Sequence, residues 1–171
     1  MSKQSAGILL FRYKKGNLEF LLVHPGGPFF AKKDIGAWSI PKGEFVEEQP
    51  LVAAKRETQE EIGFSIVDDA KLIPLSPIKQ KGGKVVFAWA LEGNLETENV
   101  KSNTFEIGRR QPTGDKKSIL ENDKAEWFPT IIALEKINPA QANFIYELLG
   151  KLGMSNLVIS KSEDTDLSEN D

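Results

Sequence analysis

Three glutamates at spacings i, i+3 and i+4 fall within one short run, Arg56-Glu57-Thr58-Gln59-Glu60-Glu61. On a helix of 3.6 residues per turn they share an arc of about 100°. Like charges so close repel by a few tenths of a kcal/mol per pair on an exposed helix. Solvent and Lys/Arg neighbours can relieve that repulsion, or a divalent cation can sit among the acids. Hard carboxylate oxygens without imidazole or thiolate select magnesium or manganese over zinc. The run alone also suits a solvated helix face, so its surroundings carry the weight. Gly43 lies ahead of it, Glu48 stands at the helix entrance, and Gly63-Phe64 closes it. The chain has no cysteine and a single histidine, His24. A thiol nucleophile, a Cys-containing zinc site and a His-rich cluster are therefore excluded. There is no Gly-x-Ser-x-Gly elbow, and Gly82-Gly83-Lys84-Val85 lacks the glycine spacing and hydroxyl of a Walker A loop.

The element that must carry the acids is a predicted helix over Pro50–Ile62. Pro50 suits the first turn, where its missing N–H costs nothing. Leu51, Ala54, Thr58 and Ile62 form a narrow stripe at helical spacing, and the acidic arc points away from it. Gly63 stands where a C-terminal cap belongs. Ahead of the helix, Ile8–Phe11 and Leu18–Val23 flank Tyr13–Asn17 as a predicted β-hairpin. Pro25-Gly26-Gly27-Pro28 breaks the pattern, Phe29 to Gly36 reads as a loop, and Trp38–Ile40 reads as a short strand ended by Pro41-Lys42-Gly43. After the helix, Leu72–Leu75, Ile78–Gln80, Val85–Leu91, Lys101–Glu106 and Ala125–Phe128 are predicted strands. Gly108–Lys117 reads as an exposed basic loop, and Pro129–Ile137 and Pro139–Leu152 as closing helices. Strands on both sides of a central helix, with more helix at the end, predict an α/β fold in which a mixed sheet is sandwiched between helices.

The 171 residues suffice for one domain with little left over. We assign it to residues 1–154, and read 155–171 as an acidic tail with five acids against Lys161. Too little of that tail is apolar to offset its ordering entropy, although Leu157–Ile159 is a candidate docking strand. The formal charge of −3 then leaves the body at +1, which does not indicate a nucleic-acid binder. The longest apolar runs, Ala6–Phe11 and Val85–Leu91, fall far short of the roughly 20 residues of a membrane span. The start lacks a secretory apolar run. The expectation is a soluble, cytoplasmic protein without a membrane partner.

The sequence around the acids resembles the Nudix box: Gly, five residues, Glu, seven residues, then Arg-Glu-U-x-Glu-Glu-x-Gly-U, with U a bulky apolar residue. Glu48, seven residues, then Arg56-Glu57-Thr58-Gln59-Glu60-Glu61-Ile62-Gly63-Phe64 matches in register. His24–Phe29 and Trp38–Gly43 resemble the approach to the box in bacterial members, and Asn122–Phe128 resembles their late segment. Two positions depart from the pattern. Only four residues separate Gly43 from Glu48, and Thr58 stands where an aliphatic is usual.

The resemblance implies a Nudix fold and a hydrolase that cleaves a diphosphate linkage in a nucleotide-derived substrate. Glu57, Glu60 and Glu61 would hold Mg²⁺, with Mn²⁺ as a substitute, and the Gly43 carbonyl region would add a metal contact. The ion neutralises phosphate charge and lowers the pKa of the attacking water. Glu48 and Arg56 would brace the loop against the helix. A further catalytic acid outside the box falls to Glu121, with Glu106 as its rival. Lys42, Trp38 and Arg109 are the candidate substrate-binding residues. Lys32, Lys33 and Arg110 are weaker cations, Phe29 and Phe30 further stacking candidates, although aromatics beside strands more often pack in a core. His24 reads as a loop anchor. The Trp38–Gly43 entry resembles that of enzymes acting on dinucleoside polyphosphates, which makes diadenosine tetraphosphate the expected substrate. The alternative is a Nudix-fold module that binds nucleotide without turnover.

Overall fold

In a computed structural model of the chain, residues 2–100 and 122–158 are described. Strand β1 (Gln4–Lys14) is buried without a break from Ser5 to Phe11, as a strand covered on both faces must be. It turns at Lys15 and Gly16, with φ of 51° and 80°, into β2 (Asn17–Pro25), the left-handed pair that a tight hairpin requires. On its other side β1 runs parallel to β5 (Val85–Glu92). Its first residues, Gln4–Gly7, pair antiparallel with β3 (Lys42–Phe45). Strand β4 (Ile73–Lys79) extends the sheet beyond β5, and β6 (Asn122–Pro129) extends it beyond β2. The order is β4-β5-β1-β2-β6, with β3 attached to β1.

Helix α1 (Pro50–Ile62) covers one face, where Ala53, Ala54 and Ile62 meet Ala6, Ile8, Leu10, Leu21 and Val23. Helices α2 (Thr130–Lys136) and α3 (Ala142–Lys151) cover the other, where Ala133, Phe144, Ile145 and Leu148 meet Leu9, Phe11, Phe20 and Leu22. Burying each of the larger of these side chains contributes about 1.5–3 kcal/mol. The result is a mixed sheet between helices, the α/β architecture expected.

Several boundaries differ from the sequence reading. Lys42–Phe45 is a strand, not the end of one, because Gly7 lets the preceding loop close in. A Cβ at Gly7 would lie 2.1 Å from the Pro41 carbonyl oxygen. Trp38–Ile40 forms only isolated bridges, Val23 to Ser39 and Trp38 to Ile137. The two segments read at Leu72–Leu75 and Ile78–Gln80 are one strand, irregular between Leu75 and Ile78, where Pro77 has no N–H to give. Leu157 and Val158 lie in a helical turn, not a strand, and pack partly buried against the core. The expected strand Lys101–Glu106, the basic loop Gly108–Lys117 and the tail from residue 159 lie outside the described residues. Among the described residues no helix is long and apolar enough to cross a membrane.

Candidate functional site

Helix α1 starts at Pro50 and stops at Gly63, whose φ of 69° caps it and whose N–H donates to the Gln59 carbonyl. The Thr58 hydroxyl, on the buried stripe, donates back to the Ala54 carbonyl at 2.8 Å and so needs no other partner. The helix packs across β1 and β3. Of its acidic arc, two members are therefore buried against the sheet rather than solvated. Glu57 and Glu61 are 8% and 4% exposed, while the Glu60 side chain is 41% exposed.

Each acid is held by a different group. The Glu57 carboxylate lies directly over Gly43, where a Cβ would fall 2.0 Å from its Cδ and Oε2. A side chain at this position would displace the carboxylate from its seat. The Lys42 backbone N–H donates to Glu61 Oε2 at 2.9 Å. Arg56 Nη1 donates to Glu57 at 2.8 Å and to Glu60 at 3.1 Å. Its Nε and Nη2 donate to Glu48 at 3.0 and 2.6 Å, joining the entrance loop to the helix. Arg56 thereby holds the Glu48 carboxyl below the usual carboxylate range. Glu48 first, then Glu57 and Glu60, raise the guanidinium further above its ordinary value.

Among the described residues, no three acids or histidines stand close enough to form a ready-made cation cluster. The guanidinium and the strand N–H take the carboxylates instead. The donor set still fits a hard divalent ion. It is made of oxygens alone, and two of its carboxylates are buried against a strand that glycine leaves open.

An open cleft of about 330 Å³ begins at Glu61 and Lys42 and continues past Ser39, Ile40, Phe30 and Asn122. Lys42 is thus placed beside the acids. Trp38 is not placed in the cleft: it is 3% exposed, packs edge-on against Phe128, and donates its indole N–H to Asp34 at 2.8 Å. An indole spent on the core cannot stack a ligand, which corrects its place among the substrate-binding candidates. Phe30 lines the cleft, while Phe29 is 70% exposed. His24 is buried, with Nε2 donating to the Lys33 carbonyl at 2.6 Å and Nδ1 2.8 Å from Asp123. Lys33 lies over the Phe29 ring. Glu121, Glu106, Arg109 and Arg110 lie outside the described residues. The sequence reading did not single out Asn122, Asn138 or Gln141, all of which line the cleft. Lone amides follow no spacing rule, and only the fold gathers them.

A mixed sheet between helices, with an acid-bearing helix laid against a glycine strand beside an open cleft, defines an α/β/α domain with a carboxylate-bearing cleft. The chain belongs to the NUDIX domain family, whose model matches residues 1–148. Its fold is similar to that of an Ap4A hydrolase of C. elegans, solved as a binary complex, at 22% identity and a TM-score of 0.59, covering 88% of this chain and 98% of that one. A mutT/nudix family protein from Listeria innocua is similar at 19% identity and a TM-score of 0.59, covering 91% and 97%. The NUDIX domain of Shewanella oneidensis NrtR, solved with ADP ribose, is similar at 16% identity and a TM-score of 0.59, covering 89% of each. No curated protein is close enough in sequence to match.

Proposed function

We propose that this protein is a Mg²⁺-dependent hydrolase, with Mn²⁺ as a substitute, that cleaves a diphosphate linkage in a nucleotide-derived substrate. The observation that carries the reading is the Glu57 carboxylate seated over Gly43, 2.0 Å from where a Cβ would stand, beside an open cleft. A merely solvated acidic face has no use for such a cradle. Glu57, Glu60 and Glu61 hold the cation, with the Gly43 region as a further contact. The bound ion supplies charge neutralisation on the diphosphate and a more acidic water. Glu48 and Arg56 set the pitch of the helix against its entrance loop. Lys42, in the cleft next to Glu61, meets phosphate as a point charge. Glu121 provides the acid outside the helix, with Glu106 as the rival, and Arg109 adds a substrate cation. Residues 1–154 form the catalytic body, residues 155–171 an acidic tail, and the setting is cytoplasmic.

The substrate we favour is a dinucleoside polyphosphate, because a lysine beside the metal site answers phosphates beyond those the ion covers. The test is product release from diadenosine tetraphosphate, dATP, 8-oxo-dGTP and ADP-ribose with Mg²⁺, compared in kcat/KM. Diadenosine tetraphosphate leads the panel if the reading is right, and Lys42→Ala narrows its lead. A win for ADP-ribose overturns the substrate class, and full activity in a Glu60→Gln, Glu61→Gln double variant overturns the metal site. One observation favours a second reading, a module that binds nucleotide without turnover: the Gly43–Glu48 loop is one residue short of the family pattern. Nucleotide affinity with no turnover at any divalent-ion concentration selects it.

A further inference from the structure

One amide in the cleft is unsatisfied. Asn122 is 9% exposed, and its Nδ2 meets no hydrogen-bond acceptor among the described residues. Two other amides that line the cleft are occupied. Gln141 accepts from the Ile40 N–H at 3.0 Å and bonds to the Ser39 hydroxyl, and the Asn138 side chain accepts from the Ala140 N–H at 2.9 Å. Buried donors are ordinarily paired, so one that is not calls for a partner from elsewhere.

The backbone at this point is also irregular. Pairing between β2 and β6 slips by one residue between His24 and Pro25, so that Pro25 faces Asn122 and Asp123 is an extra residue in β6. Such bulges re-aim side chains beside functional sites. Here the bulged Asp123 meets His24 Nδ1, while His24 Nε2 holds the Lys33 carbonyl. The loop bearing Phe30 is thereby tied to the strand bearing Asn122. Phe30 is further fixed edge-to-face on Phe29, with ring centroids 4.9 Å apart.

Strand β6 lies two strands from β1, roughly 10 Å across the sheet. Glu61 and Lys42 line the cleft from α1 and β3, and Asn122 lines it from β6, on the far side of β2. Around it the cleft is walled by Val23, Pro25 and Phe30, while the nearby Lys33 ammonium is engaged over the Phe29 ring. A neutral donor beside an aromatic ring, in an apolar wall, matches the face and edge of a nucleobase.

We propose that this end of the cleft is the nucleobase site, with the base lying against Phe30 and a ring nitrogen or carbonyl of the base accepting from Asn122 Nδ2. The inference deepens the hydrolase reading and rests on it only for the placement of phosphate at the other end. Asn122 is then a specificity-determining residue, and His24 and Asp123 are positioning residues.

The test is direct binding to the full chain, by calorimetry, of AMP, GMP, UMP and CMP, each against ribose 5-phosphate, which keeps the phosphate and sugar but has no base. At least one nucleotide binds about tenfold or more tighter than ribose 5-phosphate. Asn122→Asp, which replaces the donor with an acceptor at constant shape, removes that margin and leaves ribose 5-phosphate unchanged. Phe30→Ala also narrows it, and Phe30→Tyr retains it. In the wild-type protein the Asn122 side-chain amide resonance shifts on adding the preferred nucleotide and not on adding ribose 5-phosphate, a readout that needs no variant. Equal binding of all five ligands, or a margin untouched in a folded Asn122→Asp protein, overturns the site. Hydrolysis without a base-dependent margin sinks the nucleobase site alone. A margin without hydrolysis sinks the hydrolase reading alone.

Discussion

Substituting Gly43 by alanine isolates the part of the site on which the hydrolase reading turns. The backbone there is not left-handed, so alanine brings no conformational strain of its own. Its Cβ would stand 2.0 Å from Glu57 Cδ and Oε2 and 2.4 Å from Oε1. Carbon and oxygen atoms settle at about 3.5 Å or more, so the carboxylate has to retreat by roughly 1.5 Å. It is the end of a flexible side chain and can do so by rotating. The overpacking cost of about 1–3 kcal/mol is then mostly relieved, and the net stability change stays within about 1 kcal/mol. The chemistry does not escape so cheaply, since a displacement of about 1 Å in a positioned group costs on the order of 10²-fold in rate. Urea unfolding combined with Mg²⁺-dependent hydrolysis of diadenosine tetraphosphate reads both quantities. Calorimetric titration with Mn²⁺ should show weaker binding in the same variant. Gly7→Ala is the contrast: its Cβ would stand 2.1 Å from the Pro41 carbonyl oxygen, a backbone atom that cannot rotate away. Its effect is a stability loss of about 3 kcal/mol. A folded Gly43→Ala protein with metal affinity and kcat/KM within about threefold of wild type refutes the reasoning, because a Glu57 pushed off β3 would then be as good as one seated on it.

Arg56→Gln withdraws the donors that hold Glu48, Glu57 and Glu60. It should cost roughly 1–2 kcal/mol without metal, seen as a fall of about 2–8 °C in Tm. Added Mg²⁺ should raise Tm by more than in wild type, because the cation then relieves carboxylates no longer shared with a guanidinium; an equal or smaller rise counts against competition between the two. Trp38→Phe removes the indole bond to Asp34 and should lower stability by about 1–2 kcal/mol in urea, with nucleotide affinity unchanged. A tenfold affinity loss at full stability would restore Trp38 to the binding surface. Lys136 first, and then the Trp38 indole, hold the Asp34 carboxyl below its ordinary 3.8. A depressed carboxyl contributes stability that is present above its unfolded pKa and lost as pH falls through the folded one. The stability gap between wild type and Asp34→Asn should therefore be constant above about pH 5 and close below the ordinary value. A gap that widens in acid contradicts the pairing.

What the sequence determined by itself is local. Pro50 at the first turn and Gly63 at φ 69° bound α1 at the residues expected, because helix ends are set by side chains within a turn of them. The hairpin of β1 and β2 was legible in the same way, from two short apolar runs about a Lys15-Gly16 turn. The spacing of Arg56, Glu57, Glu60 and Glu61 sufficed for the family resemblance and for the expectation of a hard-ligand site on one helix. What tertiary structure decided is everything that depends on a partner far along the chain. Glu57 and Glu61 are buried because β3 lies over them, and β3 is a strand only because Gln4–Gly7 are there to pair with it. Periodicity within α1 reports which face is acidic but not what covers it. Trp38 left the binding surface for the core by packing against Phe128, 90 residues later. Asn122 acquired its place in the cleft from a one-residue slip against β2, and register has no signature in either strand alone. Hydrogen bonds along a helix close within four residues, so their residues announce themselves. Sheet pairing and cleft walls join segments brought together only after the chain has folded, and no local pattern records which segments will meet.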